Sequence, residues 1–423
     1  MTSLADYDYF GLDRQSLADP YRFFDQARQA GPVYQDPRTG TFIVLGYDEI
    51  IEVARDTDRF SSIVAPTGPL TAFPGPLEGD DLTETIARYR PKMIGAIPLL
   101  TLDPPEHGRY RQLVGRFFTP GRLKELEPFV RSLAHELIDE FAPAGEVEFV
   151  HRFAGPYPLL VIADLLGVPR QDQREFKRLL QDEQPDTDLV GNPGGDQAAI
   201  NGELTSFILS TFTKYIEERR AEPRHDILSA IANSTFADTG ELPGVFELVA
   251  ISFVVFGAGQ ETTSRLFTNG MFLLAGRPDL ADQLRREPEG LDRFVEEVLR
   301  YETPVKGLFR LAKVDAEVAG TKVPAGSILM LAFAAANRDP GTFADPDRFD
   351  PGRDTERPTM SFGHGAHFCP GASLARLEGR LGFEVLLRRM DNIALLDDRD
   401  PEPVPSFVLR GLKELRIRFD AAP

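Results

Sequence analysis

Residues 361–371 read Ser-Phe-Gly-His-Gly-Ala-His-Phe-Cys-Pro-Gly, and Cys369 is the only cysteine in the chain. Gly363, Gly365 and Gly371 free the backbone to turn tightly or to lie flat against another surface. An apolar-periodic stretch follows, and Pro370 suits the first turn of a helix, where a missing N–H leaves no bond unmade. The pattern predicts a helix from about 370 to Arg389. The sulfur then sits at its positive end, which favours thiolate over thiol. A single cysteine excludes a disulfide framework and any multi-cysteine zinc or iron–sulfur site. A thiolate approached by a glycine-rich loop suits the ligand of a flat metal cofactor, and an axial thiolate on haem iron is one such arrangement.

The pattern Phe362-Gly363-x-Gly365-x-His367-x-Cys369-x-Gly371 resembles the haem-binding signature of the cytochrome P450 family. The resemblance implies haem b held through the Cys369 thiolate, with Phe362, Gly363, His367 and Gly371 among the cofactor-binding residues. It implies the mainly α, partly β (α+β) fold of that family. Haem then lies between a long central helix and the cysteine helix. Pro370 departs from the pattern, because the family usually carries an N–H donor there. Fewer donors leave a thiolate more electron-rich, so Pro370 is expected to make the iron harder to reduce.

Residues 246–275 form the most apolar helical stretch, ended by Gly276 and Pro278. Within it lies Gly257-Ala258-Gly259-Gln260-Glu261-Thr262-Thr263. Glycine costs about 1 kcal/mol against alanine inside a helix, so two of them need a reason. Close helix packing is one, and room for a flat cofactor or a bound gas is another. Glu261 and Thr262 place an acid beside an alcohol, a pair able to relay protons. The stretch resembles the family's Ala-Gly-x-(Asp/Glu)-Thr-Thr motif. By that resemblance Ala258 lies against the haem, Thr262 hydrogen-bonds dioxygen and Glu261 gates proton delivery.

Three more stretches resemble the same family in the same order. Asp103-Pro104-Pro105-Glu106-His107 opens a helix on which His107 and Arg111 share a face. The family places both on a haem propionate, and Arg310 and His367 would join them. Glu297 and Arg300 are helical i,i+3 neighbours, and Arg348 in Pro346-Asp347-Arg348-Phe349 would complete a buried triad supporting the cysteine loop. Family position also nominates Ile97, Leu99, Val254, Lys306, Leu308, Val408 and Leu409 for the substrate pocket. Most are apolar, which suits a hydrophobic organic substrate. Lys306 either snorkels to solvent or attracts an anionic or carbonyl-bearing substrate.

The resemblance spans the whole chain, so residues 1–423 are expected to form one domain. Its β-rich part covers about 30–60, 305–335 and 405–420; its α-rich part covers about 100–300 and 337–390. A hairpin is predicted at Val33–Gln35 and Thr41–Val44, strands at Leu308–Ala312 and Ser327–Leu331, and alternating segments at Ser406–Leu409 and Leu415–Phe419. Residues 62–98 read as a loop roofing the pocket, and Asp182–Gln197 as a lid. The net charge of −19 argues against nucleic-acid and anionic-membrane partners. Met1–Gln15 does not read as a signal peptide, and Leu248–Gly259, the longest uncharged apolar run, falls short of a membrane span. The expected location is the cytoplasm. No dinucleotide-binding Gly-x-Gly-x-x-Gly pattern opens a βαβ unit, so electrons are expected from a separate ferredoxin and its NAD(P)H-dependent reductase. Arg109, Arg116, Arg376 and Arg380 are candidate contacts for an acidic ferredoxin. The expected activity is monooxygenation: hydroxylation, O-dealkylation or epoxidation with dioxygen. A peroxide-driven peroxygenase and a non-catalytic haem sensor or carrier are the alternatives.

Overall fold

The computed structural model describes all residues except 1–3, 71–72, 94–97, 184–202, 225, 355, 398–400 and 423. Its centre is one helix, Val245–Ala275. Gly244 caps it, and the Glu247 carboxylate accepts both the Gly244 N–H (2.6 Å) and the Tyr110 hydroxyl (2.6 Å). By length and composition this helix could cross a membrane. Here it is packed instead by the helices Pro156–Leu166, Glu203–Ala221, Leu291–Tyr301 and Ala372–Arg389.

The contact between the long helix and the cysteine helix, Ala372–Arg389, is reciprocal. A Cβ on Gly270 would stand 2.4 Å from the Phe383 ring, and a Cβ on Gly382 would stand 2.5 Å from the Phe267 ring. Each helix therefore offers a side-chain-free notch that takes the other's phenylalanine, and the two rings meet at 5.0 Å. Interiors packed to crystal density leave little slack around such a contact.

A five-stranded sheet flanks the helices, in the order Val33–Gln35, Phe42–Val44, Ile328–Leu331, Leu308–Ala312, Phe60–Ser61. Phe42–Val44 and Ile328–Leu331 run parallel; the other pairs are antiparallel. Side chains alternate faces along a strand. Phe309 and Leu311 thus enter the core formed with the N-terminal segment, while Leu308 and Arg310 face the opposite way. A three-stranded sheet pairs Arg416–Ala421 with Glu146–Glu148 and Met390–Leu395.

Several expectations are refined. The cysteine helix begins at Ala372, so Pro370 lies before it rather than in its first turn. The stretch 62–98 contains a helix, Thr83–Tyr89. The expected lid falls largely on 184–202, outside the described residues. Ser406–Leu409 is no strand: the Ser406 hydroxyl accepts the N–H groups of Val408 (3.2 Å) and Leu409 (2.9 Å), which curls the segment.

The supporting triad has a different third member. Arg300 grips Glu297 through two 2.8 Å bonds and donates to the carbonyls of Asn337, Pro346 and Arg348. Arg348 gives only that carbonyl. Its N–H closes a turn onto Asp345 (3.0 Å), its side chain is 66% exposed, and it pairs with Asp350. The second guanidinium on Glu297 belongs to Arg353 (3.4 Å), whose side chain is 9% exposed. Asn337 continues the network into the cysteine loop: its amide donates to Thr303 and Ser361 (2.8 Å each) and accepts from the Met360 N–H (2.6 Å).

An uncompensated buried charge costs about 3–5 kcal/mol, whereas an exposed ion pair is worth about 0–1 kcal/mol. Arg300→Ala is therefore expected to lose several kcal/mol in urea unfolding. Arg353→Ala is expected to destabilise clearly more than Arg348→Ala, which should stay close to wild type.

Candidate active site

The cysteine loop is held by its own backbone, by the end of the helix Tyr47–Arg55 and by Ser62. The Cys369 N–H donates to the Phe362 carbonyl (2.9 Å), and Gly363 N–H to that of Met360 (2.8 Å). Gly365 adopts φ +73°, and a Cβ there would stand 2.6 Å from the Ala54 carbonyl oxygen. Only glycine lets the loop pass that close. Arg55 Nε meets His364 Nε2 at 3.0 Å, and the Ser62 hydroxyl meets His367 Nε2 at 3.0 Å. The Arg376 guanidinium stacks on Phe362 at 4.5 Å.

One cavity gathers most of the expected residues. Cys369, Phe362, Gly363 and Gly371 form one wall; Val254, Ala258, Gly259 and Thr262 form the facing wall on the long helix. His107, Arg111, Arg310 and His367 line it as well, with Leu99 and Leu308. A Cβ on Gly259 would meet Ile162 at 3.5 Å, an ordinary contact, so helix packing does not demand this glycine. The Thr262 hydroxyl donates to the Ala258 carbonyl (2.7 Å).

Burial pushes the Cys369 thiol up. The N–H group of Gly371 opposes this first, followed by Arg111, Arg376 and the Ala372 N–H. The sulfur thus has backbone donors beyond Pro370. The helix start acts in the expected direction, but desolvation outweighs it until a metal cation is present, which deprotonates a coordinating thiol outright.

The cationic edge has an unmet demand. Arg310 is buried, its one hydrogen bond among the described residues reaches the Phe309 carbonyl (2.8 Å), and desolvation brings it down to about 10. Neither Arg310 nor Arg111 makes an ion pair among the described residues. Beside them the His107 and His367 rings lie 4.0 Å apart. Burial first, then Arg310, holds His367 down to about 3, so both rings stay neutral. Two anionic groups would satisfy such an edge. An apolar cavity with a sulfur on one wall and unpaired cations on its rim fits haem in chemistry.

The remaining expectations divide. Glu261, Lys306, Val408 and Leu409 do not line the cavity. Lys306 is 2% exposed, and its ammonium donates to the Ser406 carbonyl (2.6 Å) near the Tyr9 ring, so it neither snorkels nor faces substrate. Val408 and Leu409 belong to the N-terminal core, because the Ser406 turn directs them there. Ile97 lies outside the described residues. Leu100, Pro304, Val305 and Phe333 line the cavity unforeseen, since no local pattern marks a residue as facing a distant helix. Asp103 was read only as a helix opener. Its carboxylate accepts the Ser62 N–H (2.7 Å) and so steadies the serine behind His367. The four candidate docking arginines are all engaged: Arg109 with Asp238 (3.1 Å), Arg116 with Ser234, Arg376 with Glu296 (3.2 Å) and Arg380 with Glu127 (3.3 Å).

The family model for Cytochrome P450 matches residues 197–417. The chain is 36% identical over 410 residues to 6-deoxyerythronolide B hydroxylase of Saccharopolyspora erythraea, covering 95% of this chain and 96% of that one. It is 35% identical over 422 residues to cytochrome P450 monooxygenase PikC of Streptomyces venezuelae, covering 97% and 94%. Among solved structures, substrate-free CYP150A6 of Mycobacterium marinum matches with a TM-score of 0.91 at 39% identity, over 100% of both chains. The chain belongs to the cytochrome P450 family. It is an oxygen-incorporating oxidoreductase of the bacterial haem monooxygenases.

The edge chemistry gives a prediction with opposite signs. Arg310→Met removes a buried cation that lacks a partner ion. The cofactor-free protein is expected to unfold at equal or higher urea concentration than wild type, while the loaded protein loses haem faster to an apomyoglobin acceptor.

Proposed function

We propose that the chain hydroxylates a hydrophobic organic substrate with dioxygen, at a haem ligated by the Cys369 thiolate. The observation carrying this reading is the single cavity that sets Cys369 against Ala258 and Thr262, with the cations Arg111 and Arg310 on its rim. Bound there, haem supplies the binding and activation of dioxygen. Cys369 would ligate it. Arg111 and Arg310 would hold its carboxylates, with the neutral His107 and His367 rings packed beside them. Phe362 and Leu374 pack on the cysteine side.

On the facing side the chain does three things. Leu99, Val254, Val255 and Leu308 form an apolar wall that orients substrate and excludes water. Thr262 carries a hydroxyl whose proton rests on the Ala258 carbonyl, four residues back, and is redirected by rotation about the Cβ–Oγ bond. Glu261, next to it in sequence but outside the cavity lining, is assigned the resupply of that proton. The relay favours a dioxygen-using enzyme over the peroxide-driven alternative, which needs no proton brought to dioxygen. The name of the 6-deoxyerythronolide B relative supports hydroxylation as the reaction type.

Electrons come from a separate ferredoxin and its reductase, in the cytoplasm. Since Arg109, Arg376 and Arg380 already have intramolecular acids, docking is expected to depend only weakly on salt.

Two substitutions test the assignment. Cys369→Ala is expected to abolish the carbon monoxide difference spectrum of thiolate-ligated haem and all product. Thr262→Ala is expected to retain haem and substrate binding but to divert electrons to hydrogen peroxide, with product per NADH falling to a small fraction of wild type, as loss of an acid–base group would give. Unchanged coupling in Thr262→Ala would remove the relay.

A further inference from the structure

Two buried serines stand behind the cationic rim of the cavity, and their hydroxyls go different ways. Ser61 and Ser62 lie at the end of the edge strand Phe60–Ser61, and both are fully buried. Ser61 is paired with Leu311, the residue after Arg310. The Ser61 hydroxyl donates to Asp103 Oδ2 (2.5 Å), and Asp103 Oδ1 accepts the Ser62 N–H (2.7 Å). Arg90 stands 3.6 Å from Oδ2 as well. Both carboxylate oxygens are thus engaged. The Ser62 side chain turns to the cysteine loop instead, where its Oγ lies 3.0 Å from His367 Nε2.

A hydroxyl has one proton to give. His367 Nε2 is the one partner of the Ser62 hydroxyl among the described residues. If Nε2 carried the ring proton, the serine would have to accept, and its own proton would be left without an acceptor. An unmet buried donor costs about 1–3 kcal/mol, so the bond runs the other way: Ser62 donates and Nε2 accepts. The proton of the imidazole then sits on Nδ1, because the bond made by one ring nitrogen decides the state of the other. Burial, and after it Arg310, disfavours a second proton on the ring, and the Leu99 carbonyl acts on that ring as an acceptor.

We propose that Ser62, held in place by Asp103, fixes His367 as the tautomer protonated on Nδ1. Ser62 and Asp103 are positioning residues: neither lines the cavity, and both act through a ring that does. His367 then adds a hydrogen-bond donor to the rim without adding a charge to those of Arg111 and Arg310. A carboxylate beside Nδ1 meets an N–H, whereas in the other tautomer it would meet a lone pair. That consequence rests on the reading above, in which the rim takes the carboxylates of haem; the tautomer itself does not.

The test reads the ring directly. The full chain carrying haem is reduced and held under carbon monoxide, which makes the iron diamagnetic, and nitrogen NMR of isotope-labelled histidine reports which ring nitrogen is protonated. The His367 signals are those missing from His367→Gln. Wild type is expected to show a protonated Nδ1 and an unprotonated Nε2. Ser62→Ala removes the donor, so the ring is expected to become a mixture of tautomers and haem to pass to apomyoglobin several-fold faster. Ser62→Thr keeps the hydroxyl and should restore both readings. Asp103→Ala frees the Ser62 backbone and should shift the ring in the same direction as Ser62→Ala. The proposal fails if wild-type Nε2 is protonated, or if Ser62→Ala leaves the ring unchanged. It fails separately from the proposed function: a carbon monoxide spectrum without thiolate ligation removes the role of Cys369, while the tautomer is still read from the same sample.

Discussion

The reciprocal insertion of Phe383 at Gly270 and Phe267 at Gly382 fixes how far apart the two walls of the cavity stand. The long helix carries Ala258 and Thr262, and the cysteine helix begins three residues after Cys369. Every distance across the slot depends on the register of these two helices. A methyl group at either glycine would have to push a ring out of a packed core, and such overpacking typically costs about 1–3 kcal/mol. The helices can slide only if both rings leave their notches together.

A second layer turns that spacing into a shaped loop. Glu297, Arg300 and Arg353 satisfy one another, and Asn337 ties this polar cluster to Met360 and Ser361, where the cysteine loop starts. The Ser361 hydroxyl donates in turn to the Leu299 carbonyl (2.7 Å). Charges buried this way contribute little net stability as pairs, but each is costly to orphan. The network therefore selects one conformation of the loop more than it strengthens the fold.

Much of this arrangement was legible in the residues, because the chemistry sits in short contiguous patterns. A glycine-spaced cysteine, an acid–alcohol step in an apolar helix and a His-x-x-x-Arg turn each declare themselves within a dozen positions. Roles set by the exit direction of a side chain were not legible. Arg348 and Arg353 lie five apart in one irregular turn, and only the turn closed on Asp345 decides which guanidinium enters and which leaves. Lys306 precedes two cavity-lining strand positions, yet the curl at Ser406 offers it a carbonyl on the far side.

The alternation along Leu308–Ala312 has a consequence for how such an enzyme diversifies. Leu308 and Arg310 share a face, and the strand is clamped between Ile328–Leu331 and Phe60–Ser61, with Phe309 anchored behind. The apolar wall and the cationic rim are thus mounted on one rigid rail, two residues apart. Exchange of the side chain at the wall reshapes the accepted molecule while the neighbouring cation keeps its place. Selectivity can drift along this lineage without renegotiating the seat on which the reactive group rests.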